Sequence, residues 1–199
     1  MPDEFIKDNF DHLLKVFSSE RFLKKQGLGN EVPFFIFPFR PEFSNQVSKM
    51  GKQLMGSLKS KGIGVLKINL YDLSIEILEG IGIWEKIIEI EKDISKEKFR
   101  EILQGALDTE DNLIPAIADK MENSDFDIMF ITGVGEVFPY IRSHTVLNNL
   151  QSTADEKPTV MFFPGEYIHS PEKGSSLELF GRLHDDNYYR AFNIAEYKV

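Results

Sequence analysis

Gly133-Val134-Gly135 follows a run of four apolar residues, Ile128 to Ile131, and leads into Pro139, Arg142, Ser143 and His144. Two glycines at this spacing begin the dinucleotide fingerprint GxGxxG, whose glycines permit a tight turn and close approach of a pyrophosphate. The third glycine would stand at position 138, and that residue is Phe138. The pattern therefore predicts a sharp turn, not a dinucleotide loop. Backbone N–H groups at a turn entering a helix can still hold an anion or a partner's carboxylate. Ser143-His144 invites a hydrolase reading, but no GxSxG elbow surrounds the serine. Consecutive side chains on a helix also diverge by about 100° and do not face each other. Arg142 is expected to bind a carboxylate of the turn or of a partner, and His144 to be a structural histidine.

The remaining candidates are sparser. His12, His144, His169 and His184 are scattered, with no HxH or HExxH spacing, so no metal site is expected. Asp185-Asp186, near Arg182 and Arg190, reads as a salt-bridged turn before it reads as a cation site. Asp72, just after the second apolar run, reads as a helix cap. There are no cysteines, which excludes disulfides, thiolate nucleophiles and cysteine metal sites. A P-loop needs GxxxxGK[ST] between its first strand and helix. The corresponding stretch here, PFRPEFSN, has no glycine, and Gly51-Lys52 lies inside the next helix before Gln53. No cofactor is expected.

The elements that must position these residues follow from periodicity. Positions 4–24 carry apolar residues at helical spacing, with Asp3 as N-cap, a break at Ser18-Ser19-Glu20 and a stop at Gly27 and Gly29. Pro33 to Phe37 reads as the first strand, stopped by Pro38 and Pro41. A helix over 45–60, capped by Ser44 or Asn45, turns Val47, Met50, Leu54, Met55 and Leu58 inward. Val65 to Leu70 is the second strand, which the β-α-β order pairs with the first. Positions 81–122 read as a helical insert, a packing layer or a docking surface. Ser95 and then Asp111 or Asn112 cap its helices, Pro115 sits in a first turn, and Trp84, Ile87, Ile88, Ile94, Phe99, Ile102 and Leu103 point inward. Ile128 to Ile131 forms the third strand, 137–153 a helix, Thr159 to Phe163 the fourth strand, ended by Pro164-Gly165, and Ser175 to Leu183 an edge strand. The fold expected is α/β: a mainly parallel sheet of about four to five strands flanked by helices, in a single domain.

Composition narrows the function. The chain has 199 residues and a net charge of −9, from 32 acidic and 23 basic residues. That balance disfavours direct contact with a nucleic-acid backbone; the local exception is Lys49, Lys52, Lys59 and Lys61 on one helix. The surplus of 17 phenylalanines suits a core and also an interface. No apolar run approaches the ~18 residues of a membrane span, and the first residues, amphipathic and acidic, are not expected to act as a signal peptide. A cytoplasmic protein is expected.

Several phrases together resemble one family: SSERFL, GLGNEVPFFIFPF, INLYDL, LIPAIADK, FITGVGEVFPYIRSHTVLNNLQS, PTVMFFPGEY and LFGRLHDDNYYRAFNI. Over Phe10 to Ile194 the chain is similar to the BrxB family of bacterial BREX phage-defence systems. The resemblance implies a non-enzymatic adaptor or scaffold that works beside a site-specific DNA methyltransferase (PglX), an alkaline-phosphatase-like protein (PglZ) and a large ATPase (BrxC). PglZ is the expected direct contact, and DNA is reached only through partners. The family carries over no catalytic residues. The expected contact edge comprises Thr132, Gly133, Gly135, Arg142 and His144, with the PGEY segment at Gly165 and Tyr167. The rival expectations are an enzyme or nucleotide sensor with a degenerate α/β ligand site at the same edge, and DNA binding through the lysine helix.

Overall fold

The computed structural model describes residues 2–26, 33–154, 156–170, 174–185 and 191–199. Gly27, Gly29, Asp186 and Arg190, and the side chains of Asp3, His169, His184 and Asp185, lie outside what is described. Helix α1 (Pro2–Phe17) ends at the expected serines, where Ser19 accepts from the Phe22 N–H to open α2 (Glu20–Leu23). Strand β1 (Phe34–Phe39) and a 3-10 turn (Pro41–Phe43) lead into α3 (Ser44–Ser60). Strand β2 (Val65–Asn69) is followed by α4 (Leu70–Gly80), α5 (Trp84–Ile90), α6 (Lys96–Ala106), a π-helical turn (Thr109–Leu113) and α7 (Ile114–Glu122). Strand β3 (Ile128–Thr132), α8 (Ser143–Leu150), β4 (Thr159–Ser170), β5 (Gly174–Leu179), β6 (Leu183–Asp185) and β7 (Phe192–Asn193) complete the chain.

The strands β2-β3-β4-β1-β7, in that order, form a parallel sheet. Strand β5 adds antiparallel to the far half of β4, and β6 antiparallel to β5. The expected α/β fold, mainly parallel and flanked by helices, is therefore what the chain adopts. Side chains alternate across the sheet and fill two cores. Phe35, Phe37, Phe130, Val160 and Phe162 pack against α1 and α3. Ile36, Ile68, Met129, Ile131 and Met161 pack against α4 to α8. The first core is dense in aromatics, with ring centroids 5.3 Å apart for Phe17 and Phe130, 4.9 Å for Phe22 and Phe35 and 5.1 Å for Phe130 and Phe162. Most of the phenylalanine surplus is thus core. The chain crosses the sheet from β1 to β2 by way of α3 and returns through β3 to β4. Reversing direction with crossovers of one hand puts their helices on opposite faces, and α3 and α4–α8 are so divided.

Several expectations are corrected. β1 and β2 run in the same sense but are separated by β3 and β4. β1 continues through Pro38 to Phe39. The Pro33 carbonyl accepts from Thr159 N–H at 2.9 Å, so by alternation positions 35, 37 and 39 also face β4 while Pro38 faces the β7 side. There β7 pairs only Phe35 and Ile36, and the missing N–H of Pro38 removes no ladder bond. β4 does not end at Pro164-Gly165; it runs on as one arm of a hairpin with β5. The expected edge strand over 175–183 is instead two strands, joined by a turn with Phe180 at φ 58° and Gly181 at φ 63°. Ser44 is the first residue of α3 rather than its cap, and its hydroxyl donates to the Pro41 carbonyl. Ser95 caps α6 as expected. The next cap is Asp108, not Asp111 or Asn112, because the π-helical turn moves the helical entry back to Thr109. Ile88 is 45% exposed, not inward.

Candidate functional site

β1, β2 and β3 run parallel and end at Phe39, Asn69 and Thr132, so these ends share one edge of the sheet. Ligands of open α/β sheets bind at this edge. Asn69 ends β2 and its side-chain oxygen accepts from Tyr71 N–H (2.9 Å) and Asp72 N–H (3.3 Å), capping α4. The cap expected of Asp72 falls to Asn69 because the helix starts directly at the strand's end. Beside it, Thr132 Oγ1 donates to the Ile68 carbonyl at 3.4 Å. Gly133 then turns the chain at φ 78°, and the Glu136 N–H closes the turn on the Gly133 carbonyl at 3.0 Å.

The helix expected over 137–153 begins only at Ser143. Further turns occupy the stretch before it, with Tyr140 and Ile141 N–H both donating to the Val137 carbonyl. Val134, Val137 and Ile141 are buried by this path, which anchors the loop to the core at three points.

The loop divides two cavities. On the α3 face lies a cleft of about 270 Å³. Its floor is apolar, including Phe39, Phe130 and Phe162, and its walls carry Ser44, Ser48, Gly51 and Lys52 of α3 and Lys67 of β2. Ser44, Ser48 and Lys52 are spaced four apart and form one row along the helix. Lys67 pairs in register with Phe130 and so projects from the α3 face of the sheet. Both lysines are exposed, and neither forms an ion pair among the described residues. On the opposite face lies a groove of about 190 Å³ between the loop and α4 to α6, apolar along most of its length. Tyr71 and Ile88 line it and are 46% and 45% exposed; Val137 and Tyr140 form the loop's wall, and Glu91 and Glu136 stand among the lining. Glu136 borders both cavities.

Of the residues singled out from sequence, Thr132, Gly133 and Gly135 come together in the cleft. Gly135 lies against Phe180 and Pro164, and a Cβ there would approach the Phe180 ring to 2.8 Å. Arg142, at the N-cap of α8, is exposed and forms no ion pair among the described residues; His144 is half-buried in the first turn of that helix. Gly165 lies within β4, where the backbone of Glu178 crosses too closely to admit a side chain. Tyr167 donates from its hydroxyl to the Ala191 carbonyl at 2.8 Å and tethers the C-terminal stretch. The sequence reading did not single out Lys67, or the row Ser44, Ser48 and Lys52 as a unit. Two signals were available. One is a lysine inside the otherwise apolar strand VLKIN. The other is a glycine inside α3, where alanine would be favoured by about 1 kcal/mol. Among the described residues no group of three or more His, Asp or Glu is placed to share a cation, and no helix is long and apolar enough to cross a membrane.

The family model described as "BREX protein BrxB" matches residues 66–194. A BREX protein BrxB from Bacillus cereus (strain H3081.97) is 37% identical over 195 residues, covering 96% of this chain and 98% of that protein. Another, from Escherichia coli O9:H4 (strain HS), is 28% identical over 194 residues, covering 98% of this chain and 94% of that protein. No solved structure matches the chain. The family resemblance carried by the sequence phrases is thus borne out across nearly the whole length: the chain belongs to the BrxB family of BREX phage-defence proteins.

Proposed function

We propose that the chain is a non-enzymatic adaptor of a bacterial BREX complex, acting in the cytoplasm, and that its apolar groove receives a segment of a PglZ-like protein. The observation that supports this is the exposure of Tyr71 and Ile88 at the groove, 46% and 45%, beside a loop anchored in the core. Contiguous apolar surface of this kind marks interaction sites in soluble proteins, and aromatic residues supply much of the energy at such contacts. The carboxylates of Glu91 and Glu136 at the groove select a segment with a large apolar anchor flanked by lysine or arginine. The Gly133–His144 edge contributes through Glu136, Val137 and Tyr140, with Arg142 exposed just beyond. A BrxC-like ATPase and a PglX-like methyltransferase join through the PglZ-like partner. DNA is reached through these proteins, in keeping with the chain's net charge of −9.

Co-purification of the tagged chain with the PglZ-like protein of its own system tests this. Tyr71→Asp with Ile88→Asp is expected to weaken the complex at least about thirtyfold, the effect of losing a strong contact residue. The circular dichroism spectrum should not change, because both side chains are already half in water. Undiminished co-purification of the folded double variant would remove the groove as the contact. Failure of the wild-type chain to co-purify would remove the PglZ-like partner. Gly135→Trp is a poor probe, since it would displace Phe180 and Pro164.

A further inference from the structure

We propose that the cleft beneath α3 binds a small phosphomonoester bearing a flat apolar group, and that a nucleoside monophosphate is the ligand class that fits. The cleft lies at the carboxyl edge of the parallel sheet. Open α/β sheets bind ligands at this edge; the connection leaving β1 goes to one face and those leaving β2 and β3 to the other, with β4 between them running on into its hairpin. Its chemistry is divided. Phe39, Phe130 and Phe162, buried from bulk water, close the floor with apolar atoms against which a flat apolar group can pack. Lys52 and Lys67 converge on the cleft from a helix and a strand, and an ammonium is a donor with no acceptor capacity. Two such donors without a carboxylate partner call for an anion rich in acceptor oxygens.

Two further features favour phosphate. Ser48 stands in the row between Ser44 and Lys52 and adds a hydroxyl to the same wall. Gly51 opens the wall between Ser48 and Lys52, since a Cβ built there meets nothing within 4 Å. Glu136, the carboxylate of the lining, is suited to accept a hydrogen bond from a sugar hydroxyl. A volume of about 270 Å³ lies just below the range usual for drug-sized ligands, which suits a mononucleotide better than a dinucleotide. The inference does not rest on the adaptor reading, and its test uses the chain alone.

Titrations of the full chain with AMP, GMP, CMP and UMP, followed by amide resonances, provide that test. Adenosine and inorganic phosphate are run beside them. At least one mononucleotide should shift Gly51, Gly133 and Gly135 saturably, while adenosine and phosphate each bind about tenfold more weakly or worse. Lys52→Ala with Lys67→Ala should weaken binding by about tenfold or more, and raised salt should do the same. Gly51→Leu fills the cleft and strengthens the helix, so it should abolish binding while raising Tm. No saturable shift with any mononucleotide at millimolar concentration would overturn the proposal. So would adenosine binding as tightly as AMP, or undiminished binding by folded Gly51→Leu protein.

Discussion

Gly133 and Asn69, at the ends of neighbouring strands, share one small volume: a Cβ on Gly133 would overlap the Asn69 side-chain oxygen that caps α4. The turn after β3 and the helix after β2 are therefore built against each other, and an intact cap requires position 133 to be glycine. Its φ of 78° makes the same demand.

Gly133→Ala should destabilise the chain by about 2–3 kcal/mol, roughly half from the left-handed backbone and half from the displaced cap. Asn69→Ala alone should cost about 1 kcal/mol. With the clash already gone, Gly133→Ala in the Asn69→Ala background should cost less than in the wild type, so the two changes will not add. Urea midpoints of the four proteins, at constant m, measure this.

Gly165 and Gly105 should respond oppositely to the same substitution. At Gly165 a Cβ would collide with the Glu178 backbone, which cannot rotate away, so Gly165→Ala should cost about 3 kcal/mol. It should also lose amide protection along β5. Gly105 lies within α6 with open space around it, and Gly105→Ala should stabilise by up to about 1 kcal/mol. Hydrogen exchange and denaturant midpoints read both effects.

Among the described residues, Glu20 carries the pH-dependent effect with a clear sign. Its hydrogen bond with Lys24, and then that residue's charge, hold its carboxyl below the ordinary carboxylate value. The folded chain thus binds this proton less readily than the unfolded chain does. The associated stability is present above the unfolded pKa and fades as pH falls through the folded one. Both side chains are exposed, so the contribution is small and screened by salt. In Lys24→Ala the Glu20 titration midpoint, followed by its side-chain carboxyl resonance, should move upward toward the ordinary value.

How far the sequence disclosed this molecule depends on the range of the forces involved. Local patterns were legible: the apolar run Ile128 to Ile131 is a buried strand, Val47, Met50, Leu54 and Leu58 do face the core, the first helix does break at the serines, and Ser95 does cap a helix. Pairings between distant segments were not. Nothing near β1 and β2 in the sequence reveals that β3 and β4 come between them. Pro38 and Pro164 look like strand stops until it is known which neighbour each faces, and Pro164-Gly165 is in fact the passage from the main sheet into a hairpin. The carboxyl edge itself was foreseen, with Thr132, Gly133 and Gly135 on it. Its lysines were hidden because Lys67 and Lys52 line one cleft only through the register of β2 with β3 and the placement of α3 across them.

Glu136 belongs to both cavities, so the loop at Val134 to Glu136 is a partition with a chamber on either side. Were that partition displaced toward α3, the cleft would narrow and the groove would widen, and displacement away would do the reverse. Two occupants meeting across such a wall are bound by reciprocity: the factor by which one alters the other's affinity is the factor it receives in return. Val134 and Val137, buried on either side of Glu136, keep that travel short. A small molecule on one side and a protein on the other could thereby sense each other within a single domain.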